Sequence, residues 1–455
     1  MIHYWLQLTF FKMGFWITWT IIPVLVEIIP SIISAFRVYY RGKHQVELEP
    51  PAKLPFISVL VPVYNSEDTL YDCLNSIVKS TYPVDLMQVI VINNQSTDNS
   101  FGVFANAQDN FETLHLSIIN TEKGKAQALN VAMYNAIGTY VISIDSDGTL
   151  EPSALMNMVL RFENDSQIAA MTGTILSDKH QIKKTKSHRL RRIQKNEYFE
   201  YAQAFLSGRT IESMHNQLFT MSGAFSAFRR DVLYNTFMYN TSTVGEDTDM
   251  TFQIRQRLGD KIILCHDAIF YIGPVSGWSE LYTQRQRWQR GELESVHNYT
   301  ENKIGLGNFF DNFLVRRLMI DHTFMFQKMI WFFASIVLLF FRYSPVVLAA
   351  SYILIYFLYV VVECLNFICV RTLLVKFPEE RKFYTQQWWT VFTLPGYNLV
   401  CFWIRLIGTI NMMVRPADWD SKRPNVEAKE VRKQVSSDFK EILGSYTKKS
   451  NNKND

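Results

Sequence analysis

Apolar residues in the central part of the chain form short runs, and polar helical stretches separate them. Four runs rich in aliphatic residues predict buried strands: residues 56–62, 87–92, 113–118 and 139–144. Helical patterns cover 66–79, which begins with acidic residues as a helix start prefers, and 125–136. The alternation predicts an α/β domain with a mainly parallel, doubly wound sheet, in which ligands bind at the carboxyl ends of the strands.

Longer apolar runs lie toward the two ends of the chain. Residues 15–36 contain Glu27 as their only charge and are long enough to cross a bilayer. Because the run is too long for a signal-peptide core, we expect it to be retained. Arg37, Arg41 and Lys43 follow at once, and by the positive-inside rule they place the next domain in the cytoplasm.

Two further apolar runs, 325–341 and 345–370, are joined by a short link and predict a transmembrane hairpin. The loop after them, 371–382, contains four basic residues: Arg371, Lys376, Arg381 and Lys382. This charge again indicates the cytoplasmic side of the membrane. The catalytic part is therefore expected in the cytoplasm, in a multi-pass protein of the plasma membrane.

Two other segments leave their relation to the membrane open. Residues 388–413 are apolar but are interrupted by a proline, a glycine and an arginine, so a span, a re-entrant segment and an interfacial helix all fit. Residues 304–319 fit either an amphipathic helix at the membrane surface or the last helix of the soluble domain. The predicted units are an N-terminal transmembrane helix with a basic linker, a cytoplasmic domain, an interface helix with a C-terminal transmembrane region, and a polar tail: residues 1–50, 51–302, 303–413 and 414–455.

Charge and cysteine content narrow the class of protein. A formal net charge of +4 over 455 residues is too small to indicate a nucleic-acid partner, and the basic residues are better explained as flanks of the apolar segments. The five cysteines show no paired metal-type spacing and no disulfide pattern. A reducing, cytosolic environment is therefore expected for the central domain.

Two carboxylates directly follow the fourth predicted strand. Asp145 and Asp147 stand two positions apart at the edge of the sheet where ligands bind. Mg²⁺ typically takes one or two carboxylates together with substrate phosphates, so the pair indicates a divalent-cation site. Ordinary acidic turn residues at a strand end are the alternative.

Another acidic pair, Glu246 and Asp247, follows Gly245 at the start of a helical segment, 248–257. Helix N-termini favour acids, which explains the pair without any chemistry. The functional interpretation is a general base, in which a carboxylate accepts the proton of an attacking hydroxyl.

A third cluster, Gln284, Arg287 and Trp288, occupies one face of a predicted helix at positions i, i+3 and i+4. The guanidinium suits a diphosphate leaving group, and the indole suits stacking on a sugar ring. A solvated basic helix is the alternative when this cluster is taken alone.

The Asp-x-Asp, Glu-Asp and Gln-x-x-Arg-Trp motifs, in this order, resemble the processive branch of glycosyltransferase family 2. That branch includes cellulose, hyaluronan, chitin and poly-N-acetylglucosamine synthases, and the resemblance covers residues 56–290. Three shorter matches add residues expected to bind the nucleotide-sugar or the acceptor. They are Pro62 and Tyr64 in Val-Pro-Val-Tyr-Asn, Lys125 in Lys-Gly-Lys, and Gly223 and Ala224 in an acceptor-cradling Ser-Gly-Ala loop.

The resemblance implies a GT-A fold, transmembrane α-helices and an inverting displacement. Asp145 would contact the nucleotide and, with Asp147, hold Mg²⁺ or Mn²⁺ against the diphosphate. Asp247, with Glu246 beside it, would activate the acceptor hydroxyl. The remaining motif residues would hold the diphosphate and the acceptor end: Gln284, Arg287 and Trp288.

One departure from the family pattern concerns Asn94. Where the family usually carries Asp-Gly-Ser after the second strand, this chain has Asn94, Gln95 and Ser96. An amide both donates and accepts hydrogen bonds, so the nucleotide could bind with an altered preference. This puts uridine as the base in doubt and leaves the metal and base residues intact.

The expected function is transfer of a sugar from a nucleotide-diphosphate donor, UDP-linked in the family pattern, to a growing polysaccharide at the cytoplasmic membrane face. The expected partners are the donor, a glycan or lipid acceptor, membrane lipids and a small membrane subunit, without nucleic acid. Two alternatives stay open. One is transfer of a single sugar to a lipid acceptor, and the other is an inactive scaffold in a polysaccharide assembly complex.

Two remaining features are expected to be structural. His266, near a predicted strand end, is interpreted as a packing residue rather than a ligand. The basic run 179–192 is interpreted as a solvated, mobile loop or helix start.

Overall fold

The computed structural model describes residues 24–43, 48–300, 329–330 and 332–414. The strands in these ranges are β1 (Ile57–Val63), β2 (Met87–Asn93), β3 (His115–Asn120), β4 (Tyr140–Ile144), β5 (Gly148–Leu150), β6 (Ile168–Ser177), β7 (Phe225–Arg229) and β8 (Lys261–Ile272). The α-helices of the central domain and its N-terminal flank are α1 (Ile29–Lys43), α2 (Leu70–Val78), α3 (Ser100–Asn110), α4 (Lys125–Asn135), α5 (Ala154–Asn164), α6 (Lys179–Lys184), α7 (His188–Tyr201), α8 (Arg209–Met214), α9 (Arg230–Tyr234), α10 (Glu246–Phe252) and α11 (Trp278–Thr300). The C-terminal helices are α12 (Pro345–Leu373), α13 (Pro378–Gln386) and α14 (Leu394–Val414).

Shorter or wider helical turns extend several of these elements. The π-helical turns are Val24–Ile28, Ala202–Gly208 and Gln253–Leu258. The 3₁₀ turns are Val84–Leu86, Leu374–Lys376 and Trp388–Phe392. The π-turn Ala202–Gly208 continues α7 into α8, and the 3₁₀ turn Trp388–Phe392 leads into α14.

The strands form one sheet in the order β3-β2-β1-β4-β7-β6-β8-β5. The first four run parallel, and β6 and β8 form a second parallel pair. Strand β7 runs antiparallel to both of its neighbours, and β5 runs antiparallel to β8. The expected mainly parallel α/β sheet is confirmed, and β7, which the sequence pattern did not indicate, joins its two parallel groups.

All four predicted strands are present as β1 to β4, each within two residues of its expected bounds. Every residue of β1 and of β4 is buried, because helices cover both faces of this part of the sheet. On one face α2, α3 and α5 pack against side chains such as Val59, and on the other face α4, α9 and α10 pack against side chains such as Leu60. Burial on both faces explains why these strands are continuous apolar runs rather than alternating ones.

Within the described part of the chain, one helix is long and apolar enough to cross a membrane. It is α12 with its 3₁₀ turn, Pro345–Lys376, which covers the second half of the expected hairpin. Residues 332–340 are also helical, and the turn at 341–342 precedes α12. Helix α1 packs against α12 and contains the last part of the N-terminal apolar run.

Several expectations fall outside the described residues. These are the first part of the N-terminal apolar run, the start of the hairpin, the amphipathic segment and the polar tail: residues 15–23, 325–328, 304–319 and 415–455.

Helix α14 is a shorter apolar helix that packs along α11 of the central domain. Its Arg405 donates to Glu200 across 3.3 Å, so this face of the helix is covered by protein. The opposite face leaves apolar side chains exposed: Leu399, Val400, Ile407 and Ile410.

The basic run 179–192 forms α6 and the first part of α7, and the expectation that it is wholly solvated is wrong for its first residue. Lys179 is buried, and its ammonium pairs with Glu380 (2.6 Å) and Glu379 (3.2 Å) of α13. These ion pairs of Lys179 fix helix α13, between α12 and α14, to the central domain.

His266 lies within β8, with Nδ1 3.4 Å from Arg161.

Candidate active site

Lys125, the first residue of α4, contacts two other residues that were predicted to belong to the site. Its ammonium donates to Asp145 Oδ1 (2.5 Å) and to the carbonyl oxygen of Gly223 (3.2 Å). Burial alone would lower the pKa of Lys125, but the neighbouring carboxylates of Asp145 and Glu246 outweigh it and raise that pKa. The lysine therefore stays charged and holds the end of β4 to the loop before β7.

Gly223 links this ion pair to Asp247. Its backbone N–H donates to Asp247 Oδ2 (3.0 Å), and a Cβ at this position would lie 3.3 Å from the same oxygen and 3.5 Å from Lys125 Nζ. The next carbonyl, of Ala224, accepts from the backbone N–H of Asp145 (3.1 Å). Five of the sequence-predicted residues thus lie in one hydrogen-bonded group.

The two acids at the start of α10 differ in burial. Glu246 is buried, and that burial, together with the adjacent Asp247, raises the pKa of its carboxyl group. Asp247 is half-buried, and its second oxygen, Oδ1, accepts from the backbone N–H of Thr248 (2.7 Å). Of the pair, Asp247 is the carboxylate that a substrate could reach.

Two glycines seat these acids against α11. A Cβ on Gly245 would lie 2.5 Å from the carbonyl oxygen of Gly291, and one on Gly291 would lie 3.0 Å from the Gly245 Cα. Ser295 donates to the Gly245 carbonyl (3.2 Å). Close backbone contact therefore fixes the start of α10 on the helix that carries the third cluster.

Asp147 stands at the sheet edge immediately before β5. Although part of the residue is exposed, the atoms packed around its carboxyl group raise its pKa to about 6, and the charge of Asp145 adds to the rise. Lys125 and Arg287 oppose the rise, so both cations lie within electrostatic reach of this carboxyl group.

The donor set at the end of β4 fits a hard divalent cation. No group of three or more His, Cys, Asp or Glu side chains suited to a metal ion occurs in the described part of the chain. Two carboxylates, Asp145 and Asp147, match what Mg²⁺ or Mn²⁺ takes when phosphate and water oxygens complete the shell. A cation there would also relieve the repulsion that raises the pKa of Asp147.

Helix α11 presents the third cluster with unequal exposure. Arg287 and Trp288 are exposed, and Gln284 is half-buried. The Trp288 ring lies 5.9 Å from the Tyr201 ring and 5.8 Å from the Phe205 ring. The Tyr201 hydroxyl donates to Gln284 Oε1 (3.2 Å), so aromatic residues outside the motif support its amide and indole.

Of the residues expected at the nucleotide, Pro62 and Tyr64 lie in different environments. Pro62 is buried within β1. The pairing of β1 with β4 ends at Leu60, before Pro62, so β4 does not need the N–H that proline lacks. Tyr64 is exposed, and the Lys123 ammonium lies 5.2 Å from its ring centroid. Tyr64, rather than Pro62, presents a side chain to a ligand.

Asn94 is buried at the end of β2. Its Oδ1 accepts from the backbone N–H of Gly124 (2.6 Å), so the amide holds the segment that leads into α4. The adjoining loops are tied together, because Asn65 Oδ1 accepts from Thr97 N–H (2.8 Å) and Ser96 Oγ accepts from Asn65 N–H (3.1 Å). The carboxyl ends of β1 and β2 therefore form one rigid wall.

Residues 54–291 match the family model described as "Glycosyltransferase like family 2", which covers more than half of the chain. The chain belongs to glycosyltransferase family 2. The expected family is confirmed.

Two curated relatives are similar to this family 2 member. The probable glycosyltransferase YdaM of Bacillus subtilis (strain 168) is 25% identical over 310 residues, which cover 67% of this chain and 70% of that protein. Poly-β-1,6-N-acetyl-D-glucosamine synthase of Staphylococcus aureus (strain MSSA476) is 26% identical over 278 residues, which cover 61% of this chain and 62% of the synthase. The match thus spans less than two thirds of the synthase.

Among solved structures, the mannosyltransferase PcManGT from Pyrobaculum calidifontis, in complex with GDP-Man and Mn²⁺, is similar in fold. The two superimpose with a TM-score of 0.53 at 18% identity, over 76% of this chain and 96% of that chain. The GT-A fold expected for the family 2 domain is confirmed.

Residues at positions that the motifs do not specify hold α11 of this family 2 domain in place. Arg285 is buried, its guanidinium lies 4.4 Å from the Trp288 ring centroid, and it pairs with Glu200. Glu200 also accepts from the Tyr397 hydroxyl (3.0 Å) and from Arg405 (3.3 Å), both on α14. Sequence reasoning missed Glu200, because its partners lie far along the chain and no local motif marks it.

Proposed function

We propose that the chain is an inverting glycosyltransferase that moves a sugar from a nucleotide-diphosphate donor to a growing polysaccharide at the cytoplasmic face of the plasma membrane. One observation carries the proposal: hydrogen bonds run without interruption from Asp145 through Lys125 and Gly223 to Asp247. This group brings together a carboxylate suited to the donor and a carboxylate suited to the acceptor. Sugar transfer agrees with the family, and a polysaccharide product agrees with the similarity to the poly-β-1,6-N-acetyl-D-glucosamine synthase.

In this proposal Asp247 is the general base. It accepts the proton of the acceptor hydroxyl while that oxygen bonds to the anomeric carbon, and the bond to the diphosphate breaks on the opposite face, so the configuration inverts. The raised pKa of the buried Glu246 limits negative charge beside Asp247. A positioned base of this kind contributes about 10²- to 10⁴-fold to the rate.

The departing diphosphate gathers negative charge, and cationic groups around Asp147 would stabilise it. Arg287 is exposed and within electrostatic reach of Asp147. Asp145 and Asp147 would hold Mg²⁺ or Mn²⁺, which when bound neutralises the leaving group. Gln284 would add an amide contact to the same group.

The nucleotide would lie along the wall formed by the ends of β1 and β2, against Tyr64, Asn94 and Lys125. The acceptor would lie on the other side of Gly223 and Ala224, with its terminal sugar against Trp288. The donor is proposed to be UDP-linked, with the amide of Asn94 where the family pattern has a carboxylate.

A membrane location is supported by α12, which is long and apolar enough to span, and by α1, which packs against it. The exposed apolar face of α14 suits the interface between lipid and water. Among the described residues one helix, α12, is long and apolar enough to span a membrane, and a small membrane partner subunit would complete a path for a long product.

The testing experiment incubates detergent-purified chain with radiolabelled nucleotide-sugars and Mg²⁺ or Mn²⁺. The parent should incorporate label into long, glycosidase-sensitive product, and chelation of the metal should stop it. Asp247→Asn should lower the rate by about 10²- to 10⁴-fold. The matched control is Asp231→Asn, which alters an exposed acid on α9 and should act as the parent does.

Three other results would contradict the proposal. A single-sugar, lipid-extractable product would overturn polysaccharide synthesis in favour of transfer to a lipid. An unchanged rate for Asp247→Asn would remove Asp247 from the mechanism. Absence of turnover with every donor, with the partner subunit supplied, would leave the scaffold alternative.

A further inference from the structure

A dense group of basic side chains is exposed on α6 and the start of α7. Residues 183–192 contain six Lys or Arg and no Asp or Glu. The exposed members, called here the basic surface, are Lys183, Lys184, Lys186, Arg189 and Arg192. None of these five forms an ion pair with another of the described residues. Their charge is therefore available to an external partner.

The basic surface adjoins the link between the apolar helices α12 and α14, which consists of residues 374–393. The Lys183 ammonium lies 5.4 Å from the Phe383 ring on α13, and the Lys195 ammonium, one turn beyond the surface, lies 5.2 Å from the Trp389 ring. The buried Lys179 pairs with Glu380 of the same link. These contacts fix the position of the cations at the end of α12.

The same link exposes large aromatic side chains. Trp388 is 56% exposed and Phe392 is 45% exposed. The Phe392 carbonyl accepts from the Tyr356 hydroxyl of α12 (2.8 Å), so this aromatic pair lies beside the middle of the long apolar helix. Large exposed aromatic side chains at that depth are stabilised by an apolar surrounding.

Exposed charge near the end of α12 is thus accompanied by exposed aromatic rings beside its middle. We propose that the basic surface binds the headgroups of anionic lipids, with Trp388 and Phe392 inserted deeper among the acyl chains; this rests on the membrane location proposed above. A soluble polyanion would satisfy the cations but would leave the two aromatic rings in water. A lipid surface satisfies both, which is why lipid is the occupant that the structure favours.

The test uses the full chain in neutral detergent micelles, titrated with fluorescent phosphatidylglycerol or phosphatidylcholine. The parent should bind phosphatidylglycerol selectively, and the binding should weaken as salt is added. The variant Lys184→Gln/Lys186→Gln should raise the apparent Kd for phosphatidylglycerol by on the order of tenfold and leave phosphatidylcholine unaffected. Neither lysine touches another described residue through its ammonium, so the fold should be retained.

The matched control is Arg257→Gln/Lys261→Gln, which also removes two charges. Lys261 begins β8, whereas Ile272 ends it and accepts from the backbone N–H of Asp178 beside α6, and these two ends of the strand lie roughly 35 Å apart. The control should bind phosphatidylglycerol as the parent does. Equal Kd values for the parent and the Lys184→Gln/Lys186→Gln variant would overturn the proposal.

Two further measurements separate the possible failures. Co-flotation with neutral phosphatidylcholine vesicles tests anchoring by the apolar helices, and both variants should float. A parent that does not float would overturn the membrane location and this proposal with it, while the transferase assay would still test catalysis. Polyphosphate that binds in neutral micelles as tightly as phosphatidylglycerol would assign the basic surface to a soluble polyanion instead.

Discussion

Glu200 contacts two helices that are far apart in the sequence through one carboxylate. It pairs with the buried Arg285 on α11 and accepts hydrogen bonds from Tyr397 and Arg405 on α14. The guanidinium of Arg285 in turn lies over Trp288. Because a buried charge without its partner is strongly unfavourable, the orientation of the α11 face depends on this acid.

Replacing Glu200 by Gln should lower kcat by about tenfold or more while the donor KM changes little. The guanidinium of Arg285 loses its counter-charge, and a small shift of Trp288 misaligns the acceptor. Initial rates over a range of donor concentrations, well below the melting temperature, measure both constants. Glu280→Gln, at an exposed acid on α11, should change neither constant. A lower melting temperature with an unchanged kcat would reduce Glu200 to a structural role.

The residues that sequence reasoning selected share one property, which is a neighbour in the same motif. Asp145 and Asp147 follow a strand together, and Asp247 stands beside Glu246, so their type and spacing are visible locally. Glu200 has no such signal, because only the fold brings α7 beside α11 and α14. The burial difference between Glu246 and Asp247 was equally invisible, since adjacent residues at a helix start point to different sides.

At the scale of elements, α13 attaches the apolar helices to the catalytic domain. Glu380 of α13 accepts from Lys179 (2.6 Å) and from the Tyr198 hydroxyl (2.7 Å), and all three residues are buried. Asp267 of β8 pairs with both Arg161 of α5 and Lys376, which follows α12. Two polar contacts therefore fasten the end of α12 to the domain.

Substituting Met for Lys179 should destabilise the chain by about 3–5 kcal/mol, since it leaves the buried Glu380 without its counter-charge. The expected observation is a lower melting temperature in detergent, followed by intrinsic fluorescence. Lys184→Met, at an exposed position of the same helix, should change stability by no more than about 0.5 kcal/mol. Equal melting temperatures for the two variants would show that the Lys179 pair does not hold α13 in place.

Short buried strands and the helices between them could be predicted because hydrophobic periodicity is a local property. β1 to β4 lie within two residues of their predicted bounds. The antiparallel insertion of β7 could not be predicted, since its pairing with β4 and β6 joins segments that are far apart in the chain. The π-helical continuation of α7 into α8 also carries no sequence pattern of its own.

For the molecule as a whole, buried acids make stability depend on pH. Burial raises the pKa of Glu197 to about 7, although a hydrogen bond from the backbone N–H of Val275 and the charge of Arg285 oppose the rise. The folded chain therefore keeps a proton on Glu197 between about pH 4.5 and 7, where the unfolded chain has released it. Stability from this group is present at the acid end of that window and is lost as the pH rises through it.

Glu197→Gln should remove this part of the pH dependence. The melting temperature of the parent is expected to fall as the pH rises from 5 to 8, and the variant, which has no proton to lose there, should show a shallower slope. The difference amounts to about 3 kcal/mol at most for a shift of this size. Parallel curves for the two proteins would mean that Glu197 does not control the effect.

The large-scale plan could be predicted as far as composition determines it. A long apolar run predicted α12, because a helix that spans a bilayer needs such a run. The position of α14 could not be predicted, since hydropathy does not tell whether lipid or protein covers an apolar face. Packing along α11 and the contact between Arg405 and Glu200 supply the missing information.

The contact between Gly245 and Gly291 has a consequence for how this sequence can change over evolutionary time. Neither position can acquire a side chain unless the opposing backbone moves, and that backbone carries the candidate base on one side and the Gln-x-x-Arg-Trp helix on the other. No second substitution at the partner can restore the lost space, because glycine has no smaller replacement. Divergence in donor or acceptor preference is therefore expected at side chains around the pair, because a substitution at either glycine would shift the candidate base relative to that helix.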